Sequence, residues 1–183
     1  MTDEPTAPAS GSLVVRSMTE RDHAAIHEIL TSPSVIEGTM RVPHAALHAT
    51  VERLTPRLGT HHLVADVDGR AVGFAELITY WSEPRHRHAG EINLIATHPG
   101  WGRQGVGRAL MDAVIELADD WLNLQRLGLV VFVDNTYAIE WYTRLGFVLE
   151  GTMRAYGFKR GNLLDAHVMA RLRADDIGAH RSP

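Results

Sequence analysis

The stretch ATHPGWGRQGVGRALMDAVIELADDW, residues 96–121, places four glycines between an apolar run and an amphipathic segment. Apolar residues recur at helical spacing after the last glycines, which predicts a helix from Gly105 to about Trp121. Glycine is conformationally costly, so four in one loop indicate that something must approach the backbone closely. Free amide N–H groups and the helix dipole converge at such a loop and favour phosphates. The stretch therefore predicts a site for a diphosphate-bearing ligand.

Length and composition predict one domain and exclude several kinds of chemistry. The chain has 183 residues, of which 45% are apolar, enough for one core. The absence of cysteine excludes disulfides, thiolate metal sites and a cysteine nucleophile. A net charge of −4 argues against nucleic-acid binding, and no apolar run approaches the roughly 20 residues that span a bilayer. We expect a cytoplasmic protein with a disordered tail at 1–11, a domain at 12–173 and a C-terminal tail at 174–183.

Strands and helices are predicted to alternate along the chain. The first half reads as a strand at 13–18, a helix from Thr19 to about Leu30, a second helix at 42–54 with Pro43 in its first turn, a hairpin at 61–81 around Asp68 and Gly69, and a strand at 90–97. After the glycine loop and its helix come a strand at 127–133, a short helix at 136–145 and a closing hairpin at 147–172 around Gly161 and Asn162.

Two other phosphate-binding motifs can be compared with the glycine loop. GWGRQG also fits the dinucleotide fingerprint, with Asp134 at the end of the next strand. Too few strand-helix units follow for a dinucleotide fold, however, and Asp134 lies beyond the usual spacing of about 20 residues. A Walker-type loop fails because no Gly-Lys-Ser or Gly-Lys-Thr ends the run. A nicotinamide-binding enzyme is therefore only a distant alternative.

Two segments resemble the signatures of the GNAT family of N-acetyltransferases, which bind acetyl-CoA. GRQGVG carries Gly105 and Gly107 in the glycine places, although Gly102 stands where the family has Gln or Arg. About 30 residues later, VDNTYAIEWYTRLGF is similar to the family's second segment. The resemblance spans nearly all of residues 13–172, and within the family it is nearest to bacterial enzymes that acetylate free L-amino acids.

The resemblance implies a fold and a set of cofactor contacts. The fold is a single α/β domain of the GNAT type, with about four helices and a mixed, mostly antiparallel sheet of six to seven strands that splays between strands 4 and 5. A bulge around Leu94 to Ala96 would supply a main-chain N–H to the thioester oxygen. The residues implied for acetyl-CoA are Ile95, Ala96, Thr97, Arg103, Gln104, Gly105, Val106, Gly107, Arg108, Asn135 and Ala138.

Acetyl transfer to an amine requires a base, because aliphatic amines are protonated at neutral pH. Glu91 stands where the best-known family members carry their base glutamate, although it could equally be a solvent-facing strand residue; Glu76 is the substitute. Tyr142 resembles the tyrosine that protonates the departing sulfur, and a core aromatic is the alternative. With no cysteine for an acetyl-enzyme, direct attack by the amine in a ternary complex is expected.

The acceptor is less determined by the sequence. Family resemblance nominates an acceptor cleft lined by Met40, Arg41, Tyr80, Trp81, Tyr156 and Phe158. Arg41, Arg85 and Arg154 are candidates to hold a carboxylate, and the aromatic residues favour an apolar amino acid. A polyamine would favour an acidic cleft formed by Glu37, Glu76, Glu83 and Glu91, and a peptide N-terminus would need an open groove.

Three further expectations concern catalysis, metals and assembly. A relative that binds acyl-CoA without turnover, as a sensor, is the alternative from another functional class. His44 and His48 stand four residues apart but have no HExxH-type companion, so no metal is expected. Many members of the family pair through their last strands, which implies a homodimer.

Overall fold

The computed structural model describes residues 11–173, which form seven strands and five α-helices. The strands are β1 (Leu13–Ser17), β2 (Thr60–Val67), β3 (Arg70–Thr79), β4 (Ala89–Thr97), β5 (Arg126–Phe132), β6 (Val148–Lys159) and β7 (Asn162–Leu172). The helices are α1 (His23–Leu30), α2 (Pro33–Gly38), α3 (Leu47–Arg53), α4 (Val106–Glu116) and α5 (Thr136–Arg144). A π-helical turn, Leu117–Trp121, extends α4.

All seven strands form one sheet in the order β1-β2-β3-β4-β5-β7-β6. Every neighbouring pair is antiparallel except β4 and β5, which are parallel. Their ladder extends only from Ala89 opposite Arg126 to Ile92 opposite Leu129. Beyond these residues the two strands have no mutual pairing, so the predicted mixed sheet with a splay between strands 4 and 5 is confirmed.

Helices cover both faces of the sheet because successive strand residues point to opposite sides. Val64 and Phe74 pack with Ile26 and Ile29 of α1 in one core cluster. A second cluster contains Ala65, which follows Val64 on β2. It also contains Val106, Leu110, Met111 and Val114 of α4. The glycine loop is thereby held against the sheet, since the first turn of α4 is anchored by a fully buried Val106.

The predicted strands and turns agree with the structure, but one predicted helix is wrong in its extent. Asp68 and Gly69 form the β2–β3 turn with φ of 52° and 85°, the geometry that this dipeptide favours. The helix predicted at 42–54 begins only at Leu47, because His44 adopts a φ of 60° and interrupts any earlier helix. The predicted tails at 1–11 and 174–183 lie outside the described residues, except for Gly11.

Helix α2 was not predicted, and it brings the number of α-helices in residues 11–173 to five instead of the four expected. It begins with Ser32 in an extended conformation and Pro33 at its first position. A serine followed by proline is a common start of a helix, because proline lacks the N–H that a first turn leaves unpaired. The six residues of α2 are too few to show a helical period, which is why the pattern escaped detection.

An ion cluster joins β1, β2 and the start of α1. The Arg16 guanidinium donates to both Asp22 oxygens at 2.8 Å and to Asp66 Oδ2 at 2.6 and 2.9 Å. Asp22 is 2% exposed and also accepts the Thr19 main-chain N–H at 2.7 Å, which completes the predicted cap. The hydrogen bond from Arg16 outweighs the effect of burial and lowers the pKa of Asp22 to about 2.

No helix within residues 11–173 is long and apolar enough to cross a membrane.

We predict that Asp22→Asn lowers the free energy of unfolding by about 2 kcal/mol, because Arg16 loses a charged partner in a buried site. Urea denaturation at pH 7 measures this, with the exposed Glu140→Gln, whose partner Arg144 is 3.9 Å away, as the control. The folded pKa of Asp22 lies below the unfolded value, so its contribution is present above about pH 5 and disappears as pH falls towards 2. Equal unfolding free energies of the two variants would contradict the prediction.

Candidate active site

A cleft of about 330 Å³ lies where β4 and β5 separate. One wall comes from β4 and another from β5. The remaining sides come from α2 with its following loop, the first turn of α4, α5 and β6. The lining residues are Ser34, Val35, Gly38, Thr39, Met40, Arg41, Glu91, Ile92, Asn93, Leu94, Ile95, Ala96, Thr97, Gly107, Val130, Val131, Phe132, Asn135, Tyr137, Ala138, Trp141, Tyr142 and Tyr156.

The β4 bulge lies at Asn93, just before the range predicted for it. Glu76 is opposite Leu94 and Leu77 is opposite Ile92, so Asn93 is an extra residue with no partner on β3. An extra residue twists the strand and leaves the ladder locally disrupted. The expected position at Leu94 to Ala96 was therefore wrong, because the bulge depends on pairing with β3 rather than on local composition.

The glycine loop leads into the cleft through the first turn of α4. Gly105 caps this helix with a φ of 83°, a conformation that disfavours other residues. Gly107 lines the cleft, and a Cβ added there would lie 3.6 Å from Thr97 Oγ1. The first N–H groups of a helix have no intrahelical acceptor, so this turn offers donors to an anion. The geometry fits the predicted diphosphate site.

The predicted cofactor residues divide into two groups. Ile95, Ala96, Thr97, Gly107, Asn135 and Ala138 line the cleft. Arg103, Gln104, Gly105, Val106 and Arg108 do not line it. Gln104 Nε2 donates to Gly100 O at 3.1 Å, and the exposed Arg108 pairs with Asp112 at 2.7 Å. Asn135 also caps α5, since its Oδ1 accepts from the Ala138 N–H at 3.3 Å.

Glu91 lines the cleft from β4 and is half-buried. The Tyr80 hydroxyl donates to Glu91 Oε2 at 2.9 Å, and the Tyr80 ring stacks on His86 at 4.2 Å. Burial and the hydrogen bond to Glu91 raise the pKa of Tyr80. Tyr80 thus approaches the cleft only through Glu91, while Trp81 is 46% exposed and does not line the cleft.

Tyr142 faces the cleft from α5 and is otherwise enclosed by the core. It is 8% exposed and packs beside Trp141 and Phe147, with ring centroids 5.2 and 5.9 Å away. Burial raises the pKa of Tyr142 to about 12. The phenol therefore keeps its proton across the physiological range and can act as a donor.

Glu76 is held as a carboxylate by three neighbouring side chains. Arg53 donates to its two oxygens at 2.8 and 2.9 Å, His62 Nε2 lies 2.8 Å from Oε2, and Asn93 Nδ2 donates to Oε1. Burial acts to raise the pKa of Glu76, but the hydrogen bonds from His62, Arg53 and Asn93 outweigh it and lower the pKa to about 2. Such a carboxylate is a poor base at neutral pH, and Glu76 does not line the cleft.

The positively charged Arg41 lines the acceptor side of the cleft and has a hydrogen-bond donor that is not used among the described residues. Its Nε is buried and has no hydrogen-bond partner within residues 11–173. Burial lowers the pKa of Arg41, and nearby Arg53 lowers it further. Arginine nevertheless stays charged in proteins, so the buried group favours an anionic partner. Met40 and Tyr156 line the same cleft, whereas Arg85, Arg154 and Phe158 do not.

Several cleft residues were not identified from the sequence. They are Ser34, Val35, Gly38 and Thr39 around α2, Asn93 at the bulge, Val130, Val131 and Phe132 on β5, and Tyr137 and Trp141 on α5. The Ser32-Pro33 pair was the one available signal for α2. Within the described part of the chain no group of three or more His, Asp or Glu residues converges to hold a metal.

Comparison with protein families and individual relatives agrees with the geometry. A model described as the Acetyltransferase (GNAT) family matches residues 24–147. The L-amino acid N-acetyltransferase AaaT of Escherichia coli K12 is 40% identical over 88% of this chain and 98% of that protein. The spermidine N(1)-acetyltransferase of the same organism is 24% identical over 96% of this chain and 94% of its own length.

Solved structures share the fold. The ribosomal-protein-alanine N-acetyltransferase of Brucella melitensis superposes with a TM-score of 0.75 and 26% identity, covering 88% of this chain and all of the other. A spermidine N-acetyltransferase of Vibrio cholerae, in complex with CoA and spermine, gives a TM-score of 0.77 over 90% of this chain and 98% of its own. At 22% identity the latter supports the fold alone.

We predict that the Glu76 carboxyl shows no protonation between pH 7 and pH 4, because its pKa is held near 2. NMR observation of side-chain carboxyl carbons measures this while the protein remains folded. A glutamate-containing model peptide in the same buffer serves as the reference and titrates at about pH 4.3. Co-titration of Glu76 with this peptide would contradict the prediction.

Proposed function

The chain belongs to the GNAT family of acetyltransferases, and we propose that it transfers an acetyl group from acetyl-CoA to the primary amine of a free L-amino acid with an apolar side chain. The single observation that carries the choice of acceptor is Arg41, whose buried Nε has no partner within residues 11–173 and whose side chain lines the cleft. A substrate carboxylate would satisfy this group with a charge-assisted hydrogen bond. The 40% identity to AaaT supports the same choice.

The remaining lining of the acceptor side supports an apolar substrate side chain. Val35, Met40, Phe132 and Tyr156 contribute apolar surface near Arg41. Met40 is 60% exposed and Tyr156 41% exposed, so both have apolar area that a substrate could cover. Covering such area contributes about 25 cal/mol per Å² to binding.

Acetyl-CoA supplies the activated acetyl group, and the chain's own residues prepare the acceptor and the leaving group. We assign Glu91 as the base that removes a proton from the ammonium group, since Glu76 has a pKa of about 2 and lies outside the cleft lining. The amine nitrogen then forms a bond to the acetyl carbon while the carbon–sulfur bond breaks. Tyr142, with a pKa of about 12, donates its proton to the departing sulfur. The attacking nitrogen loses its second proton to water as the amide forms, and solvent returns a proton to the Tyr142 phenolate. Without a cysteine in the chain, both substrates react directly in a ternary complex.

The acidic residues give less support to a polyamine acceptor. Glu37 accepts from Arg160 and lies near Lys159, and Glu76 is neutralised by Arg53. Among residues 11–173, Glu91 is then the one carboxylate that lines the cleft. A spermidine-like cation would face Arg41 there, which is unfavourable. The resemblance to the Escherichia coli spermidine enzyme keeps polyamines, with peptide N-termini, as the acceptors to test next.

Assembly and location remain part of the proposal. We propose a homodimer, supported by the exposed apolar residues Val148 (66%) and Phe158 (72%) on β6, a strand at the edge of the sheet. A cytoplasmic location and independence of metal stay predictions.

We predict that coenzyme A thiol is released in the presence of methionine or phenylalanine and not spermidine. A thiol reagent follows the reaction, and the protein adds no background because it has no cysteine. Arg41→Ala should raise the KM for the amino acid about 10- to 100-fold, the effect of losing one charged hydrogen bond. It should leave the KM for the corresponding amino acid amide unchanged, because the amide lacks the carboxylate.

The control for Arg41 is Arg85→Ala, which removes a cation that does not line the cleft and should keep wild-type constants. If Arg41→Ala raises the KM for the amino acid and the KM for its amide by the same factor, recognition of the substrate carboxylate by Arg41 is contradicted. Preferred turnover of spermidine or a peptide would overturn the acceptor class. Failure of every acceptor, with acetyl-CoA still raising the melting temperature, would favour the sensor alternative.

We predict that Glu91→Gln lowers kcat about 100-fold, because general-base catalysis is lost. Tyr142→Phe should lower kcat without changing KM, since the ring and its packing remain. Glu83→Gln, in the exposed loop before β4, is the control for loss of a carboxylate. An unchanged kcat in Glu91→Gln would assign the base to another group.

A further inference from the structure

The extra residue of β4 is held in place by a buried carboxylate on β3. Asn93 has no partner in the β3–β4 register, and its Nδ2 donates to Glu76 Oε1. Glu76 is opposite Leu94, so its side chain lies beside the bulge rather than at a distance from it. This one contact therefore links the irregular residue of β4 to the regular ladder of β3.

Glu76 itself has little freedom to move. Oε2 accepts from Arg53 and contacts His62 Nε2, both at 2.8 Å, and Oε1 accepts from Arg53 at 2.9 Å and from Asn93. The residue is 4% exposed. Because its partners come from α3, β2 and β4, the carboxylate has a fixed orientation. A bond to this group consequently fixes Asn93 as well.

Packing alone would not hold Asn93. The residue lines the active-site cleft on one side and, on the other, a second cavity of about 250 Å³ that is also lined by Arg53, Arg57 and Thr60. Asn93 thus forms part of the wall between two open spaces. A bulge disrupts the ladder locally and has neighbouring registers as alternatives, so a specific anchor is needed to select one shape.

We propose that Glu76 and Asn93 are positioning residues that fix the β4 bulge and thereby aim a main-chain N–H of the bulged segment into the cleft, where it can donate to the acetyl oxygen. The proposal rests on the proposed acetyl transfer, because that reaction develops negative charge on the oxygen. Glu76 acts here through its geometry and charge and takes no proton. This positioning role explains why Glu76, a carboxylate outside the cleft lining, has four hydrogen-bond contacts.

The first experiment measures binding and needs no acceptor. Isothermal titration calorimetry gives the dissociation constants of acetyl-CoA and of CoA for the wild-type protein and for Asn93→Ala. Asn93 is an exposed residue, and truncating its side chain leaves no cavity in the core, so this variant should fold. The wild-type protein should bind acetyl-CoA more tightly than CoA. In the variant the ratio of the two dissociation constants should shift about fivefold against acetyl-CoA, which is the effect of losing one ordinary hydrogen bond. CoA affinity itself should stay unchanged.

The second experiment separates positioning from proton transfer. With the best acceptor, Asn93→Ala and Glu76→Gln should each lower kcat about tenfold or more, since a misaimed donor stabilises the oxygen less. The KM for the acceptor amine and the acidic limb of the pH–kcat profile should stay as in the wild-type enzyme. Loss of the acidic limb in Glu76→Gln alone would make Glu76 the base and overturn the proposal.

A matched control removes a similar ion pair elsewhere. Asp119 accepts two hydrogen bonds from Arg171, at 3.0 and 2.7 Å, in a partly buried pair between the π-helical turn and β7. Asp119→Asn should lower the melting temperature while the acetyl-CoA preference and kcat remain. Retention of the full acetyl-CoA preference by Asn93→Ala would overturn the proposal. If no amine is acetylated by the wild-type protein, the proposed function fails and the calorimetric result still decides this inference.

Discussion

The separation of β4 from β5 is the constraint on which the rest of the structure depends. The two parallel strands pair over four residues each and then diverge, so the β5-facing side of β4 has no strand partner from Asn93 onward. Main-chain groups that leave a ladder must find other partners or water. The surrounding elements meet this constraint by forming a cleft rather than a core, and α2, α4 and α5 close its sides.

The charged groups around the cleft have unequal surroundings, and this inequality suggests separate roles. Glu76 is bound by Arg53, His62 and Asn93, which hold its pKa at about 2. Glu91 is half-buried in the cleft and has the Tyr80 hydroxyl as its hydrogen-bond donor. The Nε of Arg41 is buried and has no partner in the described part of the chain. One carboxylate is thus suited to structure, one to proton transfer and the arginine to a substrate anion.

The part of the chain that matches the family contains most of the cleft, and the described remainder adds one lining residue. The family match covers residues 24–147, which include the glycine loop, β4, α4 and most of the residues proposed for chemistry. The β6–β7 hairpin lies beyond that match and contributes Tyr156 to the cleft. Acetyl transfer therefore follows from the matched part, whereas the acceptor proposed for it is argued from Arg41.

Sequence by itself determined the elements whose signals are local. The glycine loop, the Asp68-Gly69 turn, the period of α4 and the Thr19 cap each act within a few residues, and the structure places them as predicted. Tertiary structure alone decided the bulge at Asn93 and the fixing of Glu76. These depend on the β3–β4 register and on the Arg53–Glu76 bond, which joins residues 23 apart. Both arise from contacts between distant segments, and no local pattern specifies them.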